Sequence, residues 1–286
     1  MEGLPSVIVT AANEKSRRLR ELVRAPEILV MPGAHDVLSA LLFARMGFKA
    51  IQCSSSGIAA VLGYPDGEVL GRDRFAEITG QIAAAVDTPV NADGEAGYGG
   101  ARQIPETVRA LIEAGAAGMN LEDGVKEGRG QRVLADLPQQ LEKIAAVNDA
   151  KRALKSEFFL NARVDAMAII TDDPVKALDE AVRRGNAYAE SGADCIFYLN
   201  AHTREVIGRL VRDVRAPVSV LAGAQTVGVR DLQDLGVARV SYGSAFTRMA
   251  IGAVRRLAQE IQQQGTLASL ADALPSNEFR SLVEGG

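Results

Sequence analysis

The sequence has no tryptophan, two histidines, two cysteines and only 5% aromatic residues. Cys53 and Cys195 show no spacing typical of zinc ligands or of a disulfide framework. We therefore expect two reduced, buried thiols in a cytoplasmic protein. With only His35 and His202 available, no Ser-His-Asp or Cys-His arrangement for nucleophilic catalysis is indicated.

Long basic blocks and long apolar runs are also missing. No Lys/Arg run is longer than two residues, as in Arg17-Arg18 and Arg255-Arg256, and the net charge is −4 with a pI near 5.4. This balance argues against nucleic-acid partners, which need a basic surface. Apolar runs such as Ile28–Met31 are strand-sized, so we expect no membrane span. The segment Val7–Ala12 is too short for a secretory signal and is followed by charged residues.

What the sequence does contain is a repeat of short apolar segments and longer amphipathic ones, typical of βα units. Eight segments predict strands: Glu27–Met31, Ala50–Cys53, Pro89–Ala92, Gly118–Glu122, Phe158–Arg163, Cys195–Leu199, Val218–Leu221 and Arg239–Tyr242. Eight more predict helices: Asp36–Met46, Arg72–Val86, Pro105–Ala114, Leu137–Ala153, Pro174–Ser191, Thr203–Val214, Val227–Leu235 and Ala245–Gln263.

This alternation predicts an α/β fold, a (β/α)8 TIM-type barrel, with a doubly wound open sheet as the alternative. We expect one domain over residues 1–286, with the barrel at about 27–264 and a helical tail at 265–286. A further helix is predicted at Asn13–Arg24, before the repeat, and a C-terminal helical tail is predicted at Leu267–Val283. In such a barrel the functional groups lie at the C-terminal ends of the strands.

Polar side chains lie at the ends of four consecutive predicted strands. They are Ser54–Ser56 and Asp66 after the second strand, Asp93 and Glu95 after the third, Glu122 at the end of the fourth and Arg163 at the end of the fifth. If strand geometry continues past Ala92, Asp93 and Glu95 point to the same side. Carboxylates gathered at one barrel mouth repel each other unless a cation neutralises them, and Mg2+ or Mn2+ suits oxygen ligands. The planar fork of Arg163 suits a substrate carboxylate.

Each of these features also has a purely structural explanation. The acids can be helix caps or loop residues, the serines can form a turn, and Arg163 can pair with an acid to hold the barrel together. Their joint occurrence on four consecutive strand ends favours a site. His35 remains either a helix-start or a site residue, His202 is predicted to be structural or rim-exposed, and Gly243-Ser244 is either a cap or a phosphate site.

From about Pro32 to Gly265, the motifs in order and spacing resemble those of the isocitrate lyase/phosphoenolpyruvate mutase superfamily. The motifs are Pro32-Gly33-x-x-Asp36-x-Leu38-Ser39-Ala40, Ser54–Gly57 with Gly63-x-Pro65-Asp66, Asp93-x-Glu95-x-Gly97-Tyr98-Gly99, Leu121-Glu122-Asp123 and Ala162-Arg163-x-Asp165-Ala166. The resemblance implies a barrel whose C-terminal helix is exchanged between subunits, usually in a homodimer or homotetramer. It also implies an enzyme that stabilises an enolate or its aci-carboxylate analogue with the help of Mg2+.

By this resemblance, Asp93 binds Mg2+ directly, and Glu95 and Glu122 hold its water ligands. The hydroxyl groups of Ser54, Ser55 and Ser56 would donate to the substrate carboxylate. Arg163 would bind the substrate, and Asp66 would lie near the reacting carbon or the metal-bound water. Asp66, Glu122 and Arg163 are therefore the predicted catalytic residues.

The sequence departs from the family pattern in three places. Glu95 replaces the usual Asp, Leu199 stands where relatives carry Glu or His, and the loop at 124–132 has neither Cys nor His. In lyases for isocitrate and 2-methylisocitrate, that loop carries a Cys that acts as the acid. In phosphonate mutases and hydrolases, the loop has a Lys-x-Asn-Ser-type sequence. Lys126, Arg129 and Arg132 make this loop either a basic lid or a solvated surface loop.

The predicted function is a Mg2+-dependent lyase that cleaves or decarboxylates a small 2-oxo or 2-hydroxy carboxylate through a stabilised enolate. One alternative is a phosphonate mutase or hydrolase. The other is a barrel that binds a 2-oxo acid without catalysis.

Overall fold

The computed structural model describes residues 4–127 and 131–284. Its main sheet contains nine parallel segments: β1 Leu29–Met31, β2 Gly33–Ala34, β3 Ile51–Cys53, β4 Val90–Asp93, β5 Gly118–Glu122, β8 Phe159–Val164, β9 Cys195–Tyr198, β10 Val218–Leu221 and β11 Arg239–Ser241. A separate antiparallel hairpin consists of β6 Gly124–Glu127 and β7 Gln131–Leu134. All eight predicted strands are therefore present, with ends shifted by at most two residues.

The main sheet closes on itself through β1 and β2, which are two parts of one strand separated by Pro32. Proline has no N–H to donate to a ladder, so the pairing changes sides there. β1 pairs with β11, with Val30 opposite Val240, and β2 pairs with β3, with Gly33 opposite Gln52. The barrel prediction is confirmed, and the open-sheet alternative is wrong because the two edges are joined.

Helices surround the barrel and follow its strands. Their bounds are α1 Ser6–Arg24, α2 Val37–Arg45, α3 Ser55–Val61, α4 Arg72–Ala84, α5 Ile104–Glu113, α6 Leu137–Ala153, α7 Ala166–Ile169, α8 Pro174–Glu190, α9 Arg204–Asp213, α10 Val229–Asp234, α11 Ala245–Gln264 and α12 Ser276–Glu284. Within the described part of the chain, no helix is long and apolar enough to cross a membrane.

Four features were not predicted: the strand segment β2, the helices α3 and α7, and the β6–β7 hairpin. α3 has the composition Ser-Ser-Gly at its start, which is typical of a turn, yet the Ser54 hydroxyl caps the helix by accepting from the Gly57 N–H at 3.2 Å. α1 begins at Ser6 rather than Asn13. The predicted tail is a 3-10 turn at Ala268–Asp272 followed by α12.

The barrel interior below the mouth is polar. The side-chain oxygen Oδ1 of Asn120 accepts from the side-chain amides of Asn91 and Asn161 at 3.0 and 2.7 Å, and from Arg239 Nη1 at 3.4 Å. Arg239 is fully buried, also bonds Gln52, and burial lowers its pKa to about 10. Because Asn120 Oδ1 accepts these bonds, the NH2 group of the same side chain faces Asp93 at the end of β4.

Candidate active site

The polar strand ends meet at one cavity of about 580 Å³ at the C-terminal end of the barrel. Every predicted site residue contributes to its wall: Ser54, Ser55, Ser56, Asp66, Asp93, Glu95, Glu122 and Arg163. Four consecutive strands, β3, β4, β5 and β8, bring these residues together, as expected when parallel strands end at the same rim. His202 also lines the cavity, whereas His35 does not.

Asp93 is the last residue of β4 and is held from two sides. Its Oδ2 accepts from the Ser55 hydroxyl at 2.8 Å, and its Oδ1 lies 3.5 Å from the Asn120 side-chain nitrogen. Ser54 and Ser55 are thus bonded to groups of the protein, while the Ser56 hydroxyl lies 3.3 Å from that of Ser54 in the cavity wall. Ser55 therefore positions Asp93, and Ser54 caps α3.

Glu95 reaches the cavity from a turn, and the prediction that strand geometry continues to this residue is wrong. β4 ends at Asp93, and Glu95 has a left-handed backbone with φ 44° rather than strand geometry. Its carbonyl accepts from the Glu122 N–H at 2.8 Å, which fixes the turn. Burial, together with the charges of Asp93 and Asp66, raises the pKa of Glu95 to about 8.

Glu122 and Arg163 form a buried ion pair at the centre of the rim. Arg163 Nη1 contacts Glu122 Oε2, and Arg163 Nε and Nη2 donate to Asp165 Oδ1 at 3.1 and 2.9 Å. Burial raises the pKa of Glu122 to about 8, although Arg163 opposes this. Arg163 therefore pairs with acids, as its structural explanation predicted, and it also lines the cavity.

A second buried cluster supports the first from behind. Asp123 accepts from Arg184 Nη1 at 3.0 Å, from the Tyr188 hydroxyl at 2.7 Å and from the Asp165 N–H at 2.7 Å. Its side chain has no exposed surface. Asp123 thus fixes the backbone of Asp165, which in turn holds Arg163.

The predicted loop at 124–132 is a β-hairpin in its described part, and it reaches the cavity. Arg132 Nη2 lies 3.0 Å from Glu122 Oε1 and 3.2 Å from Asp165 Oδ2. Lys126 Nζ donates to the Asp66 carbonyl at 2.6 Å, which joins the hairpin to the loop after β3. Arg129 lies outside the described residues.

Two cavity residues had no signal in the sequence. Lys143 lies on α6, is buried, and donates from Nζ to the Ala96 carbonyl at 2.7 Å; burial lowers its pKa. Arg248 lies in the first turn of α11 and is exposed. Both belong to helices that carry several other charged residues, and one charged residue on such a helix does not by itself indicate a site.

The donor set fits a hard cation that keeps several water ligands. Among residues 4–127 and 131–284, no three His, Cys, Asp or Glu side chains are close enough together to ligate one ion jointly. The nearby donors are carboxylate oxygens. Burial, followed by the charges of neighbouring acids, raises the pKa values of Glu95 and Glu122, and a cation beside them would favour the charged carboxylates. This pattern suits one direct carboxylate with others acting through water.

The family model described as phosphoenolpyruvate phosphomutase matches residues 19–262. A 2-methylisocitrate lyase of Aeropyrum pernix is 32% identical over 277 residues, which is 93% of this chain and 86% of that protein.

Two solved structures show the same likeness. A crystal structure of a putative lyase/mutase from Burkholderia cenocepacia J2315 has a TM-score of 0.88 at 33% identity, covering 96% of this chain and 97% of that one. A phosphonopyruvate hydrolase in complex with oxalate and Mg2+ has a TM-score of 0.82 at 30% identity, covering 95% of each chain. As its strand-end motifs predicted, the chain belongs to the phosphoenolpyruvate mutase/isocitrate lyase superfamily.

Proposed function

We propose that this chain is a Mg2+-dependent enzyme of the carbon–carbon lyase type that acts on a small 2-oxo or 2-hydroxy carboxylate. The observation that carries the proposal is the meeting of Asp93, Glu95 and Glu122 with Arg163 in the wall of one cavity. Relatives whose names include lyases, such as the Aeropyrum pernix protein, support the reaction class.

In this proposal Asp93 is the direct metal ligand, and Glu95 and Glu122 bind water ligands of the ion. The phosphonopyruvate hydrolase with Mg2+ and oxalate supports this choice of ion, and Mn2+ is the alternative. Bound Mg2+ would supply Lewis-acid stabilisation of negative charge on the oxygen beside the substrate carboxylate.

Arg163 has the capacity to bind a substrate carboxylate despite its partners. A guanidinium has five N–H donors, and three contacts of Arg163 go to Glu122 and Asp165. Two N–H groups therefore remain for the substrate. Asp165 and Glu122 hold the fork rigid, which lowers the entropy lost on binding, and the Ser56 hydroxyl and the Asp66 carboxylate complete the wall.

The reaction can be identified by incubating the protein with Mg2+ and a panel of pyruvate, 2-oxobutyrate, oxaloacetate and 2-oxoglutarate. Proton NMR would follow cleavage and decarboxylation, with EDTA as the control. Turnover that needs Mg2+ supports the proposal. Saturable binding without chemistry would favour a 2-oxo-acid-binding barrel, and turnover of phosphonopyruvate alone would favour the phosphonate branch of the superfamily.

We predict that isocitrate and 2-methylisocitrate are not cleaved at the roughly 1 s⁻¹ or more typical of enzymes. The loop at 124–132 has no cysteine, and Cys53 and Cys195 are fully buried with pKa values raised to about 12 by burial. Neither thiol lines the cavity. An assay for released glyoxylate or pyruvate checks this, and turnover at such a rate would refute it.

We further propose a homodimer or homotetramer, with a C-terminal helix exchanged between subunits. α11 buries only Thr247 within this chain, and apolar side chains such as Met249, Ile251 and Val254 are more than 60% exposed. Exposed apolar surface of this kind typically marks an interface. Sedimentation-velocity centrifugation at micromolar protein concentration measures the oligomeric state. A monomer in that experiment would contradict this part of the proposal.

A further inference from the structure

The proposed reaction needs a side chain that takes a proton from carbon or returns one to it. The loop at 124–132 has no cysteine for this step, and Leu199, which lines the wall after β9, cannot exchange a proton. On the side of the cavity that follows β3, β4 and β5, the acids Asp93, Glu95 and Glu122 are proposed to hold the metal ion and its water ligands. We therefore looked for an acid–base group on the opposite wall.

The wall that follows β9, β10 and β11 has few ionisable side chains. Among the described residues they are His202, Tyr242 and Arg248. Burial raises the pKa of Tyr242 above its ordinary value, so the phenol keeps its proton near neutral pH. An arginine stays protonated in proteins. Because an imidazole can both accept and donate a proton near neutral pH, His202 is the side chain of this wall that suits the step.

His202 is half-buried and is held by the loop that follows β10. Its Nδ1 lies 3.0 Å from the Thr226 hydroxyl oxygen, and its backbone carbonyl accepts from the Val227 N–H at 3.1 Å. The Gly223 N–H donates to the same threonine oxygen at 3.0 Å, which fixes the threonine side chain in turn. Nδ1 is therefore engaged, whereas Nε2 has no hydrogen-bond partner within residues 4–127 and 131–284.

A ring with one nitrogen held and the other free suits general acid–base catalysis by histidine. When the Thr226 oxygen accepts Nδ1–H, the lone pair of the neutral imidazole lies on Nε2. The same hydrogen bond can persist in the imidazolium, because Nδ1 carries a proton in both states. The ring therefore keeps its orientation when Nε2 gains or loses a proton.

The strand order places His202 beside the residue that is proposed to bind the substrate carboxylate. β8, which carries Arg163, pairs with β5 on one side and with β9 on the other, and His202 lies four residues after Tyr198, the end of β9. β10 lies across the closed sheet from β4. A 2-oxo acid whose carboxylate and oxo oxygen face β4, β5 and β8 directs its third substituent on C2, the C3 carbon, toward the wall after β9 and β10.

From this placement we infer that His202 is a catalytic acid–base residue, whose Nε2 takes a proton from C3 of the bound 2-oxo acid and returns one to the enolate. The inference rests on the proposed function. As Nε2 accepts the proton, the C3–H electron pair forms the C2=C3 bond, the carbonyl π pair moves onto oxygen, and the imidazole becomes imidazolium. In the return step, Nε2–H protonates C3, the carbonyl re-forms, and the imidazole is neutral again.

The test measures deuterium exchange at C3 of 2-oxobutyrate in D2O with Mg2+, and the binding of 2-oxobutyrate and Mg2+ by calorimetry. We expect His202→Ala to lower kcat for exchange by about 100-fold or more while both affinities stay within about twofold of wild type. Added imidazole should restore part of the lost rate in His202→Ala and none in Arg163→Ala. This difference separates a missing proton-transfer group from a damaged cavity.

Two further variants test the orientation of the ring. Thr226→Val removes the oxygen that holds Nδ1 and should lower kcat by about tenfold without changing the affinity for 2-oxobutyrate. Arg204→Gln is the matched control, because Arg204 lies two residues from His202 but is 54% exposed, pairs with Asp231 and lies outside the cavity wall. Arg204→Gln should change neither the exchange rate nor binding.

The outcomes separate this inference from the proposed function. A wild-type rate in folded His202→Ala, with exchange lost in Asp66→Asn, would assign the step to Asp66; it would overturn the inference and leave the proposed function intact. A lowered rate that imidazole does not restore, or weaker binding of 2-oxobutyrate with unchanged kcat, would also overturn the inference alone. Absence of exchange by wild-type protein that binds both Mg2+ and 2-oxobutyrate overturns both.

Discussion

Asp93→Asn should lower the affinity for Mg2+ by more than about 100-fold while the barrel remains folded. Loss of a residue that merely orients metal ligands typically costs 10–100-fold, and Asp93 is proposed as the direct ligand. The asparagine oxygen can still accept the Ser55 hydroxyl that the Asp93 carboxylate accepts at 2.8 Å, so packing at the strand end is retained. Calorimetric titration with Mg2+ measures the change, and circular dichroism checks the fold.

Asp73→Asn is the matched control, because Asp73 is an acid whose side chain is 82% exposed on α4, away from the cavity. Its Mg2+ affinity should equal that of the wild type. Undiminished affinity in folded Asp93→Asn would show that Asp93 is not the ligand, and the metal site would then have to be sought elsewhere.

Asp123→Ala should lower the free energy of unfolding by about 3–5 kcal/mol. The substitution removes the fully buried carboxylate that Arg184 Nη1 contacts, which leaves Glu180 as the only ion-pair partner of Arg184 among the described residues, and it removes the acceptor for the Tyr188 hydroxyl and the Asp165 N–H. Breaking one side of a buried ion pair is costly because the other charge stays buried. Urea denaturation followed by circular dichroism measures the loss.

Asp149→Ala provides the comparison for that result. Asp149 pairs with Arg152 on the surface of α6, with both side chains about 70% exposed, so its loss should cost about 0–1 kcal/mol. A loss from Asp123→Ala as small as that from Asp149→Ala would mean that the Asp123 cluster does not stabilise the fold.

Hydrophobic periodicity was sufficient to predict the strands and most helices, because burial of one face determines where each element lies. It could not show closure of the barrel, which depends on the break at Pro32 and on the pairing of β1 with β11 across more than 200 residues. The close approach there needs glycine, since a Cβ on Gly33 would lie 2.2 Å from the Gly243 carbonyl oxygen.

The strand ends also predicted which residues meet in the cavity, but not how they are bonded. Nothing in the sequence indicates the left-handed backbone of Glu95, because residues other than glycine rarely adopt it. The contacts of Arg163 with Asp165 and Glu122, and of Lys143 with Ala96, depend on side-chain directions that periodicity does not specify. Arg248 was missed because it lies on a helix whose pattern already explained it.

Under the proposed function, Mg2+ and Arg163 together would make the C3–H bond of a 2-oxo acid bound in this cavity more acidic. The most direct measurement is deuterium exchange at C3 of 2-oxobutyrate in D2O, followed by proton NMR with protein and Mg2+, with protein and EDTA, and with Arg163→Ala and Mg2+. We predict that exchange with the protein and Mg2+ is faster than with Mg2+ alone, is lost with EDTA and is strongly reduced in Arg163→Ala. Exchange no faster than in buffer with Mg2+, by folded wild-type protein shown to bind both Mg2+ and 2-oxobutyrate, would contradict it.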